Sequence, residues 1–346
     1  MNLEFLSTIK INFIIGTGRS GTTLLVVLLN QYENCIATPE IHHFIYFYKK
    51  YKNVEAVSQD LINDYKKYIT LYFNYKKNPL IGPPNNTFIN SLTIGQQINY
   101  NQLTKLIYLG LFGEKGISNP INIIIDKNPY YTLHANKIIE VFPDAKLLAL
   151  TRDYRGYILS NIQSQKRKVS KKNVIYHALV WNLYMKKISE IKEHTSNNLK
   201  IVTYEEIVLD KEKTIKEILE FFNFKYSDEL LNFHIGLKQK LDAAKLPQNN
   251  IERTTKNASN LSSPINSNRA FAWKNELTKD EIEQADFISN KYGIKYNYLS
   301  ESQISFLKKI YLSLISIPSF IRVKTFEIID SPKLHFYLRY KVNNKL

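Results

Sequence analysis

An α/β fold is predicted, a doubly wound parallel sheet flanked by helices, with a helical cap insertion and a basic helical tail at the C-terminus. Three observations carry this. Four short apolar runs, 11–15, 121–125, 146–150 and 199–203, alternate with segments of helical period, the order that covers a parallel sheet on both faces. The first run leads directly into a glycine turn and then a second helical segment. The chain has 346 residues, 44% of them hydrophobic, enough to build one full core.

The elements follow in order. Strand 11–15 precedes a helix over 22–32. Between the first two predicted strands lie about a hundred residues rich in Tyr, Lys and Asn, far beyond a simple crossover, so residues from about 40 to 120 are expected to form the cap, with helices over 56–75 and 101–113. Its aromatics (Tyr46, Phe47, Tyr48, Tyr51, Tyr65, Tyr68) fall at helical spacing and suit a core better than a ligand-stacking platform. Helices over 130–141, 154–166, 172–195, 211–223 and 278–292 complete the domain, which is expected to span 1–298. Residues 247–270, rich in Asn, Ser and Thr, form a long loop suited to closing over a ligand. The tail, 299–346, is basic and amphipathic; its most apolar stretch, 304–321, is interrupted by Lys308, Lys309 and Pro318 and suits packing or lying on a membrane surface rather than spanning it.

Composition narrows the function classes. A formal charge of +16 suits an anionic ligand or surface, while no zinc-binding spacing, basic zipper or RNA-binding aromatic motif points to nucleic acid, which is not expected as a partner. Cys35 is the only cysteine, which excludes an intramolecular disulfide and suits a reducing compartment with a buried thiol. Without a basic-then-apolar leader pattern, the expected location is cytoplasmic, with peripheral contact at the inner face of a membrane through the tail.

The glycine turn, Gly16-Thr17-Gly18-Arg19-Ser20-Gly21-Thr22-Thr23, has the Gly-four-residues-Gly spacing of a nucleoside-triphosphate loop, but Thr22 stands where such a loop needs Lys. Successive backbone N–H groups and a helix N-terminus still suit a phosphate there. Arg19 is the available cation, and the missing Lys argues against ATP or GTP. A second constellation begins at Thr151-Arg152, where a buried run ends in a cation at the strand's carboxyl end and Ser160 follows eight residues later, about two helical turns on.

Together these motifs resemble the sulfotransferases that use 3′-phosphoadenosine 5′-phosphosulfate (PAPS), in particular the branch containing tyrosylprotein and many bacterial enzymes. The resemblance runs from about residue 10 to 298. It implies that Gly18, Arg19, Ser20, Gly21, Thr22 and Thr23 hold the 5′-phosphosulfate and that Arg152 and Ser160 hold the 3′-phosphate. It also implies that Glu40, twenty-one residues after Arg19, is the catalytic base, with His42 and His43 as alternatives; transfer to a hydroxyl requires such a proton acceptor. Lys127 in Asp126-Lys127-Asn128-Pro129 matches the family's Lys-x-Pro turn, where a cation meets charge developing on the bridging oxygen. Thr254 stands where the family has a donor-contacting Ser, Tyr204 matches a nucleotide contact, and either Arg269 or Lys274 completes the 3′ site.

The implied function is transfer of a sulfuryl group from PAPS to an acceptor hydroxyl of a carbohydrate, lipid-linked glycan, small metabolite or peptide tyrosine, releasing 3′,5′-ADP without a metal. Two rivals are a small-molecule kinase with a divergent loop, for which Asp126 is the nearest magnesium-holding candidate, and a non-catalytic protein that binds membranes or polyanions.

Overall fold

The computed structural model describes residues 3–76, 87–112, 120–165, 173–232 and 267–329. After a short helix α1 (Phe5–Thr8), the chain runs β1 (Lys10–Gly16), α2 (Thr22–Leu29), β2 (Cys35–Thr38), α3 (His43–Tyr51), α4 (Gln59–Lys76), α5 (Thr87–Asn90), α6 (Tyr100–Phe112) and β3 (Ile123–Lys127). It continues through α7 (Ala135–Val141), β4 (Leu147–Thr151), α8 (Tyr154–Gln165), α9 (Val174–His194), β5 (Leu199–Thr203), α10 (Tyr204–Leu209) and α11 (Lys211–Phe221). The last helices are α12 (Trp273–Glu276), α13 (Lys279–Lys295) and α14 (Phe306–Ile329).

The five strands form one parallel sheet in the order β2-β3-β1-β4-β5. Alternation along the strands divides the core in two. Ile14, Cys35, Ala37, Ile125, Leu148, Leu150 and Val202 join residues of α2 and α11 on one face, while Phe13, Ile15, Ile36, Ile124, Leu147 and Ala149 join residues of α6, α8 and α9 on the other. Cys35 is buried, as its place in a strand covered on both faces requires. The connections run to one side of β1 for β2 and β3 and to the other for β4 and β5, so the loops after β1 and β4 open the crevice in which sheets of this kind take ligands.

The differences from the sequence expectation are local. Strand β2 was not expected; it is four residues long, wholly buried and therefore without alternation. Because β2 intervenes, the insertion connects β2 to β3 rather than the first two predicted strands. It packs into the body of the domain: Phe44, Tyr65, Tyr68, Leu103 and Tyr108 share one core cluster with Phe13 and Ile124. The segment expected as a single helix over 130–141 is a 3₁₀ turn (Pro129–His134) followed by α7, with Pro129 at its first position. Helices α3 and α10 were likewise not expected, whereas the helices around 22, 59, 100, 154, 174, 211 and 279 lie where the periodicity puts them.

Candidate active site

The loop after β1 is shaped by backbone demands that only glycine meets. Gly16 has φ +114° and a Cβ there would lie 2.0 Å from the Leu150 carbonyl oxygen, so β1 could not pair so closely with β4 with any other residue. The loop is pinned from beneath: the Gly16 N–H donates to Thr132 Oγ1 (2.7 Å) and the Thr17 N–H to the Leu150 carbonyl (2.8 Å). The Thr17 and Ser20 hydroxyls bond each other at 2.6 Å. Arg19 sits at φ 68°, a left-handed conformation that a non-glycine residue adopts only when its surroundings hold it. A Cβ on Gly18 would meet nothing within 4 Å, whereas one on Gly21 would meet the Tyr204 ring at 3.1 Å. Thr22 is buried and Thr23 exposed at the first turn of α2.

Across the crevice, β4 delivers Arg152, which is 6% exposed. Its guanidinium lies over the Tyr204 ring (4.4 Å) and donates to the carbonyls of Arg19 (3.2 Å) and Arg269 (2.5 Å), leaving Nε without a partner. Gly156 makes this possible, since a Cβ there would come within 2.8 Å of Arg152 Nε. Tyr204 is held by a capping box, in which the Thr203 hydroxyl accepts from the Glu206 N–H and the Glu206 carboxylate accepts from the Thr203 N–H. Ser160, two turns into α8, accepts from Arg19 Nε at 3.0 Å. Arg269 lies close enough to Arg19 and Tyr204 for its charge to act on both. Among the described residues, no carboxylate comes within ion-pair distance of Arg19, Arg152 or Arg269. Burial pulls the Arg152 guanidinium below its ordinary pKa, against the opposing influence of Tyr204, Glu205 and Asp153.

Lys274 is not part of this cluster. It reaches Glu301 at 3.2 Å and lies over the Trp273 ring. Thr254 lies outside the described residues.

The other end of the crevice is built by β2 and β3. Pairing of Thr38 with Asp126 brings Glu40, just beyond β2, beside Lys127, the last residue of β3, and Lys127 Nζ lies 3.1 Å from Glu40 Oε1. The Lys127 side chain is 6% exposed and that of Glu40 27%, so the carboxylate is the accessible partner. Asn128 ties the two segments together, with Nδ2 2.6 Å from the Ile41 carbonyl and 3.1 Å from His42 Nδ1; Tyr131 donates to the same carbonyl at 2.9 Å. Both histidines are buried. His43 is fully enclosed with neither ring nitrogen bonded, and burial drives its pKa down to about 3, the state of a neutral core imidazole. Asp126 points into the core, where the hydroxyls of Thr38 (3.0 Å) and Tyr108 donate to it. Its burial pushes the carboxyl up to about 7.

Sequence reasoning missed Thr132, Gly156, Tyr108 and Trp181, whose indole N–H fixes the Arg152 carbonyl at 2.9 Å. Gly156 alone left a signal, a glycine four residues after Arg152 in what should be a helix's first turns.

Comparison with known proteins fits this architecture. The chain is 24% identical over 163 residues to protein-tyrosine sulfotransferase 1 of Danio rerio, covering 46% of this chain and 44% of that protein. It is 23% identical over 170 residues to protein-tyrosine sulfotransferase A of Caenorhabditis elegans, covering 48% and 42%. It thus spans about half the length of the curated relatives it matches. In three dimensions it resembles the sulfotransferase domain of the Synechococcus PCC 7002 olefin synthase, with TM-score 0.53, 17% identity and coverage of 84% of this chain and 94% of that one, a likeness of fold. The model of the sulfotransferase family matches residues 12–228, from within β1 to beyond β5, and on that match this chain belongs to the sulfotransferase family.

Proposed function

We propose that this protein transfers a sulfuryl group from PAPS to an acceptor hydroxyl. One observation carries the donor assignment: a buried arginine, Arg152, with no carboxylate at ion-pair distance among the described residues, an unbonded Nε and two further arginines beside it. A buried guanidinium without a counter-charge is costly, and a phosphate dianion placed here removes the cost. Ser160 and Arg19 supply further donors, and Tyr204 an aromatic face. The 5′ end of such a donor lies against the Gly18 side of the loop, where backbone approach is open.

In the reaction, the acceptor oxygen forms a bond to sulfur as the bond from sulfur to the 5′-phosphate oxygen breaks. Glu40 takes the hydroxyl proton, and Lys127 stabilises the charge that grows on the departing oxygen. The products are the sulfated acceptor and 3′,5′-ADP. The Lys127–Glu40 contact keeps both groups ready at one spot, and Glu40 is also within electrostatic reach of Arg19 in the loop and of Tyr184 on α9. Asp126 is already engaged by Thr38 and Tyr108, which leaves the kinase alternative without its carboxylate.

Calorimetric titration with 3′,5′-ADP, alongside ADP and magnesium–ATP, tests this. Metal-independent binding of 3′,5′-ADP in preference to both controls supports the assignment. A preference for magnesium–ATP overturns it.

A further inference from the structure

Helix α14 has two apolar faces, of which the body of the protein uses one. Leu312, Ser319 and Val323 face inward against α9 and α13, helped by Asn173 Nδ2 bonding Ser319 Oγ at 3.3 Å and by Arg322 lying over the Tyr176 ring. Lys308 turns inward as well, to Asp280 (2.8 Å) and Glu283. On the opposite side, Leu307, Ile310, Leu314, Ile317, Ile321 and Ile328 form a stripe along the whole helix and are 78, 45, 61, 50, 58 and 79% exposed. An apolar stripe of this length facing solvent is a surface that something else covers.

Charge identifies the occupant. Lys309, Arg322 and Lys324 flank the stripe, and the helix's one acidic residue, Glu327, is turned aside and ion-paired with Lys324 (2.7 Å) and Lys186 (3.8 Å). Residues 330–346 add Lys333, Arg339, Lys341 and Lys345 against the single Asp330. A second copy docked face to face would set these cations against one another, whereas an anionic lipid surface takes the stripe among its acyl chains and the cations among its headgroups. No helix of the described residues is long and apolar enough to cross a membrane, which fits a helix lying in the plane of the surface. We propose that α14 docks this protein on anionic membrane surfaces, with the Leu307-to-Ile328 stripe buried at the headgroup boundary.

The test is sedimentation of the full chain with vesicles of phosphatidylcholine, alone and mixed with phosphatidylglycerol, at low and high salt. Binding should favour the anionic vesicles and weaken with salt. The Leu314→Glu/Ile321→Glu double variant should lose at least about tenfold in vesicle partitioning. Its thermal unfolding should be unchanged, and Leu209→Glu, an equally exposed apolar position away from α14, should bind as the parent does. Should the double variant fold poorly, Lys309→Glu/Lys324→Glu keeps the stripe intact and should weaken binding to the anionic vesicles alone. Absence of vesicle binding at low salt overturns the proposal. So does a dimer, seen by light scattering, that the Leu314→Glu/Ile321→Glu variant converts to a monomer, since the stripe would then belong to a second copy. Vesicle binding needs neither donor nor acceptor, so its failure leaves the proposed reaction standing.

Discussion

The two ends of the crevice handle buried charge in opposite ways. At the carboxyl ends of β2 and β3, charges are settled within the protein: Lys127 has Glu40, and Asp126 has the hydroxyls of Thr38 and Tyr108. At the end of β4, Arg152 bonds carbonyls and lies over an aromatic ring without a carboxylate at ion-pair distance among the described residues; Glu205 and Asp153 act on it from farther off, and Arg19 adds charge of the same sign. A self-balanced site can wait without substrate and act by moving a proton. An unbalanced one gains most from binding an anion. On the proposed reaction the first end serves the chemistry and the second donor affinity, and substitutions at the two ends should separate turnover from binding.

The largest effect should come from Glu40→Gln, which keeps the shape and removes the base: turnover should fall by about 10²–10⁴-fold while affinity for 3′,5′-ADP stays unchanged. Normal turnover would remove Glu40 from its role. Lys127→Met should lower kcat by about 10²–10³-fold, again with little change in titrations with 3′,5′-ADP. If both constants moved equally, the division between the two ends would fail.

At the other end, Arg152→Ala should weaken 3′,5′-ADP by about ten- to a hundredfold and ADP far less, because only the former carries the 3′-phosphate. Equal losses for both nucleotides, measured by calorimetry, would place Arg152 elsewhere on the donor. Gly156→Ala sharpens the same point without touching a charge. Its methyl group displaces the Arg152 guanidinium, so it should reproduce the nucleotide preference of Arg152→Ala at a smaller size, about tenfold or less.

The smallest effect concerns stability. The Asp126 carboxyl rises from 3.8 to about 7 on folding, so between those values the native state holds more protons than the unfolded chain. Its contribution is most favourable at acid pH and is lost as the pH rises through about 7. Glu205, raised to about 7 chiefly by burial, acts with the same sign. Thermal unfolding of Asp126→Asn should therefore decline less steeply with rising pH than that of the parent, the residual slope combining Glu205 with the opposing effect of the buried His43 and His177. An identical slope would show Asp126 to be ionised throughout.

The phosphate-loop geometry was legible in one dimension because it rests on backbone requirements: glycines at left-handed or crowded positions between a strand and a helix can be read from spacing. Arg152 and Ser160 were legible for a related reason, since a strand end and a helix pitch fix their separation. What joins Glu40 to Lys127 was not, because it depends on β2, a strand too short and too buried to carry a period, and on Asn128 and Tyr131 reaching across to Ile41. That Arg269 lies near Arg19 and Tyr204 while Lys274 reaches Glu301 depended on the path of the chain before α12, of which a sequence holds no record.

Sequence alone thus determined four of the five strands and the glycine loop after β1, since these follow from local periodicity and backbone sterics. Tertiary structure alone decided which charges are paired, which histidine is sealed in the core and which face of α14 is left outside. Those outcomes depend on distances and burial between segments far apart in the chain, and burial is what sets the energy of a charge or an apolar surface.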